Sequence, residues 1–154
     1  MCLLKLEKMK IRSAEKRDFD TIKVLVKAHA EFEKASALND ENLNQLESHI
    51  FNTETIKCLV VEIDTKIVGY ATFLKQFSTW DANYYVYLDC LYLNEKTRGK
   101  GVGTSIMEAI KTYAKSENCA IIQWQTPDFN EKAIQFYNKL GASSKSKERF
   151  TWSV

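Results

Sequence analysis

The part of the sequence that most constrains the fold joins a run of strand-forming residues to an amphipathic helix through alternating glycines. Residues 84–93 are rich in tyrosine, valine and leucine, which is typical of a buried β-strand. Gly99, Gly101 and Gly103 follow, and the apolar residues after them recur at intervals of three and four, as in a helix that packs on a core. The sequence therefore predicts an α/β protein in which a strand leads through residues 98–104, here called the glycine turn, into a helix.

The glycine turn has the properties of a phosphate-binding site. Positions without a side chain let backbone N–H groups close around a phosphate, and a helix N-terminus adds its positive dipole end. Lys96, Arg98 and Lys100 supply cationic charge at the same place. The pattern is not a Walker P-loop, and it comes too late in the chain for a Rossmann opening. On glycine spacing alone, a phosphate site and a plain surface connector with solvated basic residues remain equally good interpretations.

Strands and helices alternate along the rest of the chain. Strand patterns cover residues 10–12, 58–63, 67–74 and 120–125, and two short strands at 143–146 and 149–152 could close the chain. Helical spacing covers residues 18–34, a shorter segment that Asn39 caps, the segment after the glycine turn, and a segment that Asn130 caps and Gly141 ends. This order predicts a single domain over residues 1–154, with a central hairpin in a mixed sheet and helices on both faces.

Composition and charge exclude several classes of function. The chain has 154 residues and a formal net charge of +2, which gives no reason to expect nucleic acid or an anionic membrane as a partner. Cys2, Cys58, Cys90 and Cys119 are scattered, which fits neither a zinc site nor a disulfide framework and suits reduced thiols. Residues Met1 to Glu7 have too short an apolar run for a signal peptide or a membrane span. We therefore expect a cytoplasmic protein without a metal.

Two motifs resemble those of a known family. Arg98-x-x-Gly101-x-Gly103 is similar to the R/Q-x-x-G-x-G/A signature of the GNAT acetyltransferase superfamily, with a strand before it and a helix after it. The segment from Asn130 through Phe136-Tyr137 to Gly141 is similar to the superfamily helix that flanks the pantetheine arm and thiol of the cofactor. The resemblance extends over residues 11–152, and this context favours the phosphate site over the plain connector.

The resemblance implies a fold, a cofactor and a set of cofactor contacts. The GNAT fold is a mixed, mostly antiparallel, twisted sheet of about six to seven strands with about four helices on its two faces. The co-substrate would be acetyl-CoA. The residues that the resemblance places at the cofactor are Leu91, Tyr92, Leu93, Arg98, Gly99, Lys100, Gly101, Val102, Gly103, Thr104, Asn130, Ala133, Phe136 and Tyr137.

Within the superfamily, the chain resembles the spermidine/spermine and diamine acetyltransferases. The resemblance rests on Ser78-Thr79-Trp80 before Tyr87-Leu88-Asp89 and on Gly141-Ala142-Ser143-Ser144. That subgroup usually has Leu-Glu-Asp where this chain has Leu88-Asp89-Cys90. The resemblance implies a small polyamine-like or diamine-like acceptor and a homodimer. The acceptor contacts that it implies are Glu31, Phe32, Glu33, Asp89, Gln123, Trp124 and Gln125, although Glu31 and Glu33 would equally suit a plain solvated face.

Acetyl transfer to an amine needs a base and an acid. An alkylamine has a pKa near 10.4, so only about one molecule in a few thousand is neutral at pH 7. Asp89 lies in an otherwise apolar strand, and we expect it to accept the amine proton directly or through one water. Backbone N–H groups near Leu91 and Leu93 could stabilise the carbonyl oxygen. Tyr137 matches the family tyrosine beside the sulfur and would protonate the leaving thiolate.

Three alternatives remain open at this point. The same core could acetylate a lysine or an N-terminus of a protein or peptide, with a different groove for the acceptor. The chain could bind CoA without catalysis. A covalent acetyl-Cys90 intermediate is also conceivable, although a lone cysteine in a β-strand more often serves packing.

Overall fold

The computed structural model of the chain describes residues 8–36 and 38–154. The segment Met1 to Glu7, for which the sequence predicts neither a signal peptide nor a membrane span, lies outside the described residues. Within the described ranges, no helix is long and apolar enough to cross a membrane. No three metal-ligating side chains in these ranges lie close enough together to hold an ion.

Five strands form one sheet in sequence order. They are β1 (Met9–Ser13), β2 (Lys57–Ile63), β3 (Lys66–Ser78), β4 (Asn83–Leu93) and β5 (Ile122–Gln123). Neighbouring strands are antiparallel from β1 to β4, whereas β5 runs parallel to β4. The predicted hairpin is confirmed, since β2 and β3 meet through a turn at Asp64 and Thr65, both of which have positive φ.

Four helices cover the two faces of the sheet. They are α1 (Phe19–Phe32), α2 (Asp40–Phe51), α3 (Val102–Ser116) and α4 (Glu131–Lys139). Both predicted caps are confirmed, because the side chain of Asn39 accepts a bond from the N–H of Asn42 at 2.8 Å and that of Asn130 from Ala133 at 3.3 Å. Gly141, in the left-handed region at φ 85°, ends α4 as predicted.

The core is divided into two clusters by the sheet. On one face, Phe19 and Ile22 of α1 and Ile50 of α2 pack on Cys58 and Val60. On the other face, a larger cluster joins α3 to the sheet; its fully buried members include Val61, Ala71, Val86, Val102, Ile106 and Ile110. Burying each large aliphatic side chain contributes about 1.5–3 kcal/mol, so both faces hold their helices firmly. The predicted mixed sheet with helices on both faces is confirmed.

The sheet has fewer strands than the sequence predicts. The segment that follows α4 forms no strand at 143–146 or 149–152, and all of residues 143–154 are exposed. The fifth predicted strand, 120–125, is reduced to Ile122–Gln123. Strand-forming residues become a strand only where a neighbouring edge accepts their backbone hydrogen bonds, and these segments lack such a neighbour within the described chain.

A partly buried ion network fixes the start of α1. Arg12 on β1 donates from Nη1 to Asp18 Oδ2 at 2.7 Å and from Nη2 to Glu62 Oε2 at 2.8 Å. The hydrogen bond from Arg12 holds the pKa of Asp18 below its usual range. Because Asp18 immediately precedes α1, this network sets the position of a helix whose other end contributes to the candidate site.

Candidate active site

A β-bulge in β4 separates the strand into two parts. Thr72 pairs with Cys90 and Phe73 pairs with Leu88, so Asp89 is an extra residue without a partner on β3. The side chain of Asp89 is exposed. The bulge places a carboxylate at the surface between a buried Leu88 and a half-buried Cys90, as a proton acceptor in contact with solvent requires.

Beyond the bulge, β5 no longer pairs with β4 in the described chain, and the space along this unpaired edge of β4 is here called the cleft. The two strands pair only at Val86 with Ile122 and at Tyr87 with Gln123. Directly after β4, the N–H of Asn94 bonds to the carbonyl of Val68 on β3 at 2.8 Å. Because alternate residues of a strand point their N–H groups to opposite sides, those of Leu91 and Leu93 point away from β3, into the cleft. The predicted pair of oxyanion donors therefore faces the open side.

The glycine turn presents backbone donors at the start of α3. Gly99 and Gly101 have φ angles of 73° and 80°, which residues with a side chain rarely adopt. Gly101 is the N-cap of α3, and within the described chain no side chain caps this helix and no acidic residue lies in its first turn. The first N–H groups of α3 are thus left for an anion, and the exposed Lys96 and Lys100 add positive charge nearby. This arrangement fits the pyrophosphate of CoA.

Helix α4 closes the cleft from the other side. A Cβ atom on Gly103 would lie 3.0 Å from Cζ of Phe136, so the glycine lets α4 approach the first turn of α3. The ring of Tyr137 lies 5.2 Å from that of Phe136 and 5.0 Å from that of Trp124 on the segment that continues β5. The structure therefore brings three of the predicted site residues, Trp124, Phe136 and Tyr137, into one aromatic cluster.

Tyr137 has the protonation state that a general acid needs. Burial, followed by the negative charge of Glu33, raises the pKa of Tyr137 to about 12. Its hydroxyl is therefore protonated at neutral pH.

Arg98 contacts aromatic rings instead of projecting freely at the helix N-terminus. Its guanidinium lies 4.4 Å from the ring centre of Phe32 and 5.3 Å from that of Tyr92. Its Nε donates to the carbonyl of Leu93 at 2.8 Å. The side chain that the sequence assigns to phosphate charge thus fastens the end of α1 to the end of β4.

The predicted acceptor residues fall into two groups. On α1, Glu31 and Phe32 are exposed, whereas Glu33 is half-buried and bonds to His29. On the β5 side, Gln123 and Gln125 are exposed, whereas Trp124 turns to the opposite side and packs against the core and Tyr137. Trp124 is therefore a wall of the cleft beside Tyr137, and the two glutamines lie on the other face of the segment.

Two polar residues beneath the site are not among those that the sequence predicts for it. His29 and Tyr70 are 9% and 1% exposed, and His29 Nδ1 lies 2.9 Å from the Tyr70 hydroxyl. His29 fits the apolar spacing of α1, which predicts a core position. The spacing of four residues between His29 and Glu33 is a signal that could have found their contact.

The environment of Cys90 argues against a covalent mechanism. Burial, followed by the charge of Asp89, raises the pKa of the Cys90 thiol to about 11. The thiolate is the nucleophilic form of cysteine, so this thiol is a poor nucleophile at neutral pH.

Comparison with known proteins agrees with the geometry. A family model described as "Acetyltransferase (GNAT) family" matches residues 19–142. Thialysine N-epsilon-acetyltransferase of Mus musculus is 31% identical over 142 residues, which span 86% of this chain and 83% of the mouse protein. The corresponding Bos taurus enzyme is 30% identical over 141 residues, 86% of this chain and 82% of its own length.

Solved structures share the fold. Aminoglycoside N-acetyltransferase AAC(6')-Iy in complex with CoA superposes with a TM-score of 0.81 over 95% of each chain, at 16% identity. A possible acetyltransferase from Clostridium difficile has a TM-score of 0.80 at 20% identity, over 95% of this chain and 97% of its own.

Proposed function

Because the chain belongs to the GNAT acetyltransferase family, whose members use acetyl-CoA, we propose that this N-acetyltransferase acts on a small primary amine with a second positive charge. The observation that carries the proposal is the half-buried carboxylate of Glu33 at the end of α1, whose charge adds to the effect of burial in raising the pKa of Tyr137 to about 12. An anionic group beside the reacting centre suits a dicationic acceptor of the polyamine or diamine type.

The chain would hold the acetyl donor mainly through backbone groups. The glycine turn and the first turn of α3 would bind the pyrophosphate with N–H donors, supported by Lys100. Asn130, Ala133 and Phe136, on or beside α4, would flank the pantetheine arm. Bound acetyl-CoA supplies a thioester whose carbonyl carbon the amine attacks.

Residues on both sides of the cleft would move the protons. Asp89, exposed on the bulge, accepts the amine proton directly or through a water molecule. The N–H groups of Leu91 and Leu93 stabilise the carbonyl oxygen as negative charge develops. Tyr137 donates its hydroxyl proton to the leaving sulfur.

The acceptor would lie between α1 and the β5 side. Glu33, with Glu31 at the rim, attracts the second ammonium group, and Phe32 and Trp124 line the approach. The mouse relative is named for acetylating thialysine at Nε, which supports a small amine as the acceptor.

Two further features belong to the proposal. Exposed Phe150 and Trp152, at 91% and 92%, and the short β5 support a homodimer in which a second chain covers the C-terminal segment. Cys58, Cys90 and Cys119 are free thiols, which supports a cytoplasmic location.

The test is a screen for CoA release with spermidine, diamines, thialysine, lysine, lysine peptides and propylamine. We expect the highest kcat/KM with small amines that carry a second positive charge, and we expect added salt to reduce this preference. Faster turnover of peptides would favour a protein acetyltransferase. Tight CoA binding without release on any amine would leave a non-catalytic CoA-binding module.

A further inference from the structure

We propose that His29 is a positioning residue that holds the carboxylate of Glu33 toward the acceptor, and that Tyr70 fixes the imidazole tautomer that this requires. The inference rests on the proposed function, because Glu33 is the group that would receive the second ammonium of the amine. It adds two residues that lie beneath the site and would act through Glu33.

The contacts form a continuous chain from β3 to the end of α1. His29 Nε2 lies 3.1 Å from Glu33 Oε1, and His29 Nδ1 lies 2.9 Å from the hydroxyl of Tyr70. The imidazole is also stacked on the ring of Tyr92, with 5.3 Å between ring centres and 28° between planes. The ring of His29 is therefore held by stacking on Tyr92 as well as by a hydrogen-bonding partner at each nitrogen.

The direction of these hydrogen bonds follows from the chemistry of the two ends. An ionised carboxylate only accepts hydrogen bonds, so Nε2 of His29 must carry a proton and donate it in the hydrogen bond to Glu33. In the neutral ring Nδ1 then has a lone pair, and Tyr70 donates to it. Burial raises the pKa of Tyr70 well above its usual range, so this donor keeps its proton.

The series of hydrogen bonds from Tyr70 through His29 to Glu33 matters because Glu33 is at the end of its helix. Glu33 is the C-cap of α1, with backbone angles that are no longer helical, and its side chain is 34% exposed. Among the described residues only its Oε1 has a hydrogen-bonding partner, which leaves Oε2 for an ammonium group. His29, which holds this carboxylate, is stacked on Tyr92 of β4, so the end of α1 lies beside the part of β4 that borders the cleft. Without His29, this side chain would lose the bond that restricts its rotamers.

The first experiment compares two substitutions of His29 on two matched substrates, 1,3-diaminopropane and propylamine. We expect His29→Leu to lower kcat/KM for the diamine about tenfold, mainly through KM, and to change the value for propylamine less than about twofold. His29→Gln keeps an N–H donor near the position of Nε2 and should recover most of the loss. His49→Leu, which changes the exposed histidine of α2, is the control, and thermal melting of every variant reports folding.

A double-mutant cycle tests whether His29 acts through Glu33. Glu33→Gln should itself remove most of the preference for the diamine, and adding His29→Leu should then cause no further loss. Equal losses on the diamine and propylamine in His29→Leu would overturn the positioning role and leave His29 as a core residue. Full additivity of the two substitutions would overturn it as well.

Nitrogen NMR of the imidazoles tests the tautomer without any turnover. The chain has two histidines, so His49→Gln assigns the spectrum. We expect a protonated Nε2 and an unprotonated Nδ1 at His29, and a mixture of tautomers in Tyr70→Phe. A protonated Nδ1 in the wild type would overturn the role of Tyr70. Failure of the wild type to acetylate any amine would remove the proposed function and the acceptor role of Glu33. The tautomer of His29 would still show whether the hydrogen bonds from Tyr70 through His29 to Glu33 exist.

Discussion

The two sides of the cleft differ in the groups that form them, which are backbone groups on one side and side chains on the other. The cofactor side consists of the glycine turn and the start of α3, where backbone N–H groups and positive φ angles at Gly99 and Gly101 make the site. The acceptor side consists of side chains from α1, β3 and β4, among them Glu33, His29 and Tyr70. A site made of backbone leaves a glycine pattern in the sequence, whereas a site made of side chains from distant segments leaves none.

The largest effect is expected where the two sides meet, at Tyr137. Tyr137→Phe keeps the ring contacts with Trp124 and Phe136 and removes the hydroxyl. We expect kcat to fall about 100- to 10,000-fold while CoA affinity changes little, because positioned proton transfer contributes that range. Steady-state kinetics and calorimetry on one preparation check this. A near-normal kcat, with a loss of stability of about 1 kcal/mol, would make the tyrosine a packing residue and water the proton donor.

The second prediction isolates the backbone-built side. Gly101→Ala should reduce CoA affinity about tenfold, because a side chain disfavours the left-handed conformation by roughly 1–2 kcal/mol and adds bulk beside the N–H donors. Gly141→Ala is a matched control, since Gly141 has a φ of 85° against 80° for Gly101 and ends α4. Both variants should lose similar stability. Unchanged CoA affinity in calorimetry for Gly101→Ala would contradict the phosphate site.

The third prediction concerns the link between the sides. Arg98→Lys removes the planar group that lies on Phe32 and Tyr92 and the Nε donor to Leu93. A lysine ammonium does not reproduce this stacking, so the end of α1 should loosen and KM for both substrates should rise about three- to fivefold. If only the KM of acetyl-CoA rises, the side chain serves the phosphate, as the sequence predicts.

The smallest effect on activity is expected at the far end of α1. Asp18→Asn should cost about 1–3 kcal/mol of stability at pH 7, because Arg12 loses a buried ionic partner. Since the pKa of Asp18 is lowered in the fold, the ionised form stabilises the protein above the unfolded pKa, and this is lost as pH falls through the folded value. The difference in melting temperature from the wild type should therefore shrink below about pH 4. A difference in melting temperature that stays constant down to pH 2 would show that the stabilisation by Asp18 is not ionic.

Local patterns in the sequence determined most of the elements. Helix caps at Asn39 and Asn130, the stop at Gly141 and the glycine turn each depend on the conformation of a few neighbouring residues. Such signals act over one or two turns of chain and can be predicted without knowing the fold. The same is true of the apolar spacing of α1 and α3, which fixes the faces that these helices bury.

Only the tertiary structure decided the acceptor side and the edge of the sheet. The bulge at Asp89 depends on the register between β3 and β4, and the contact of His29 with Tyr70 joins residues 41 positions apart. The segments 143–146 and 149–152, for which the sequence predicts short strands, form no strand in the described chain and are exposed. Register, burial and pairing are properties of distant segments brought together, so no local pattern encodes them.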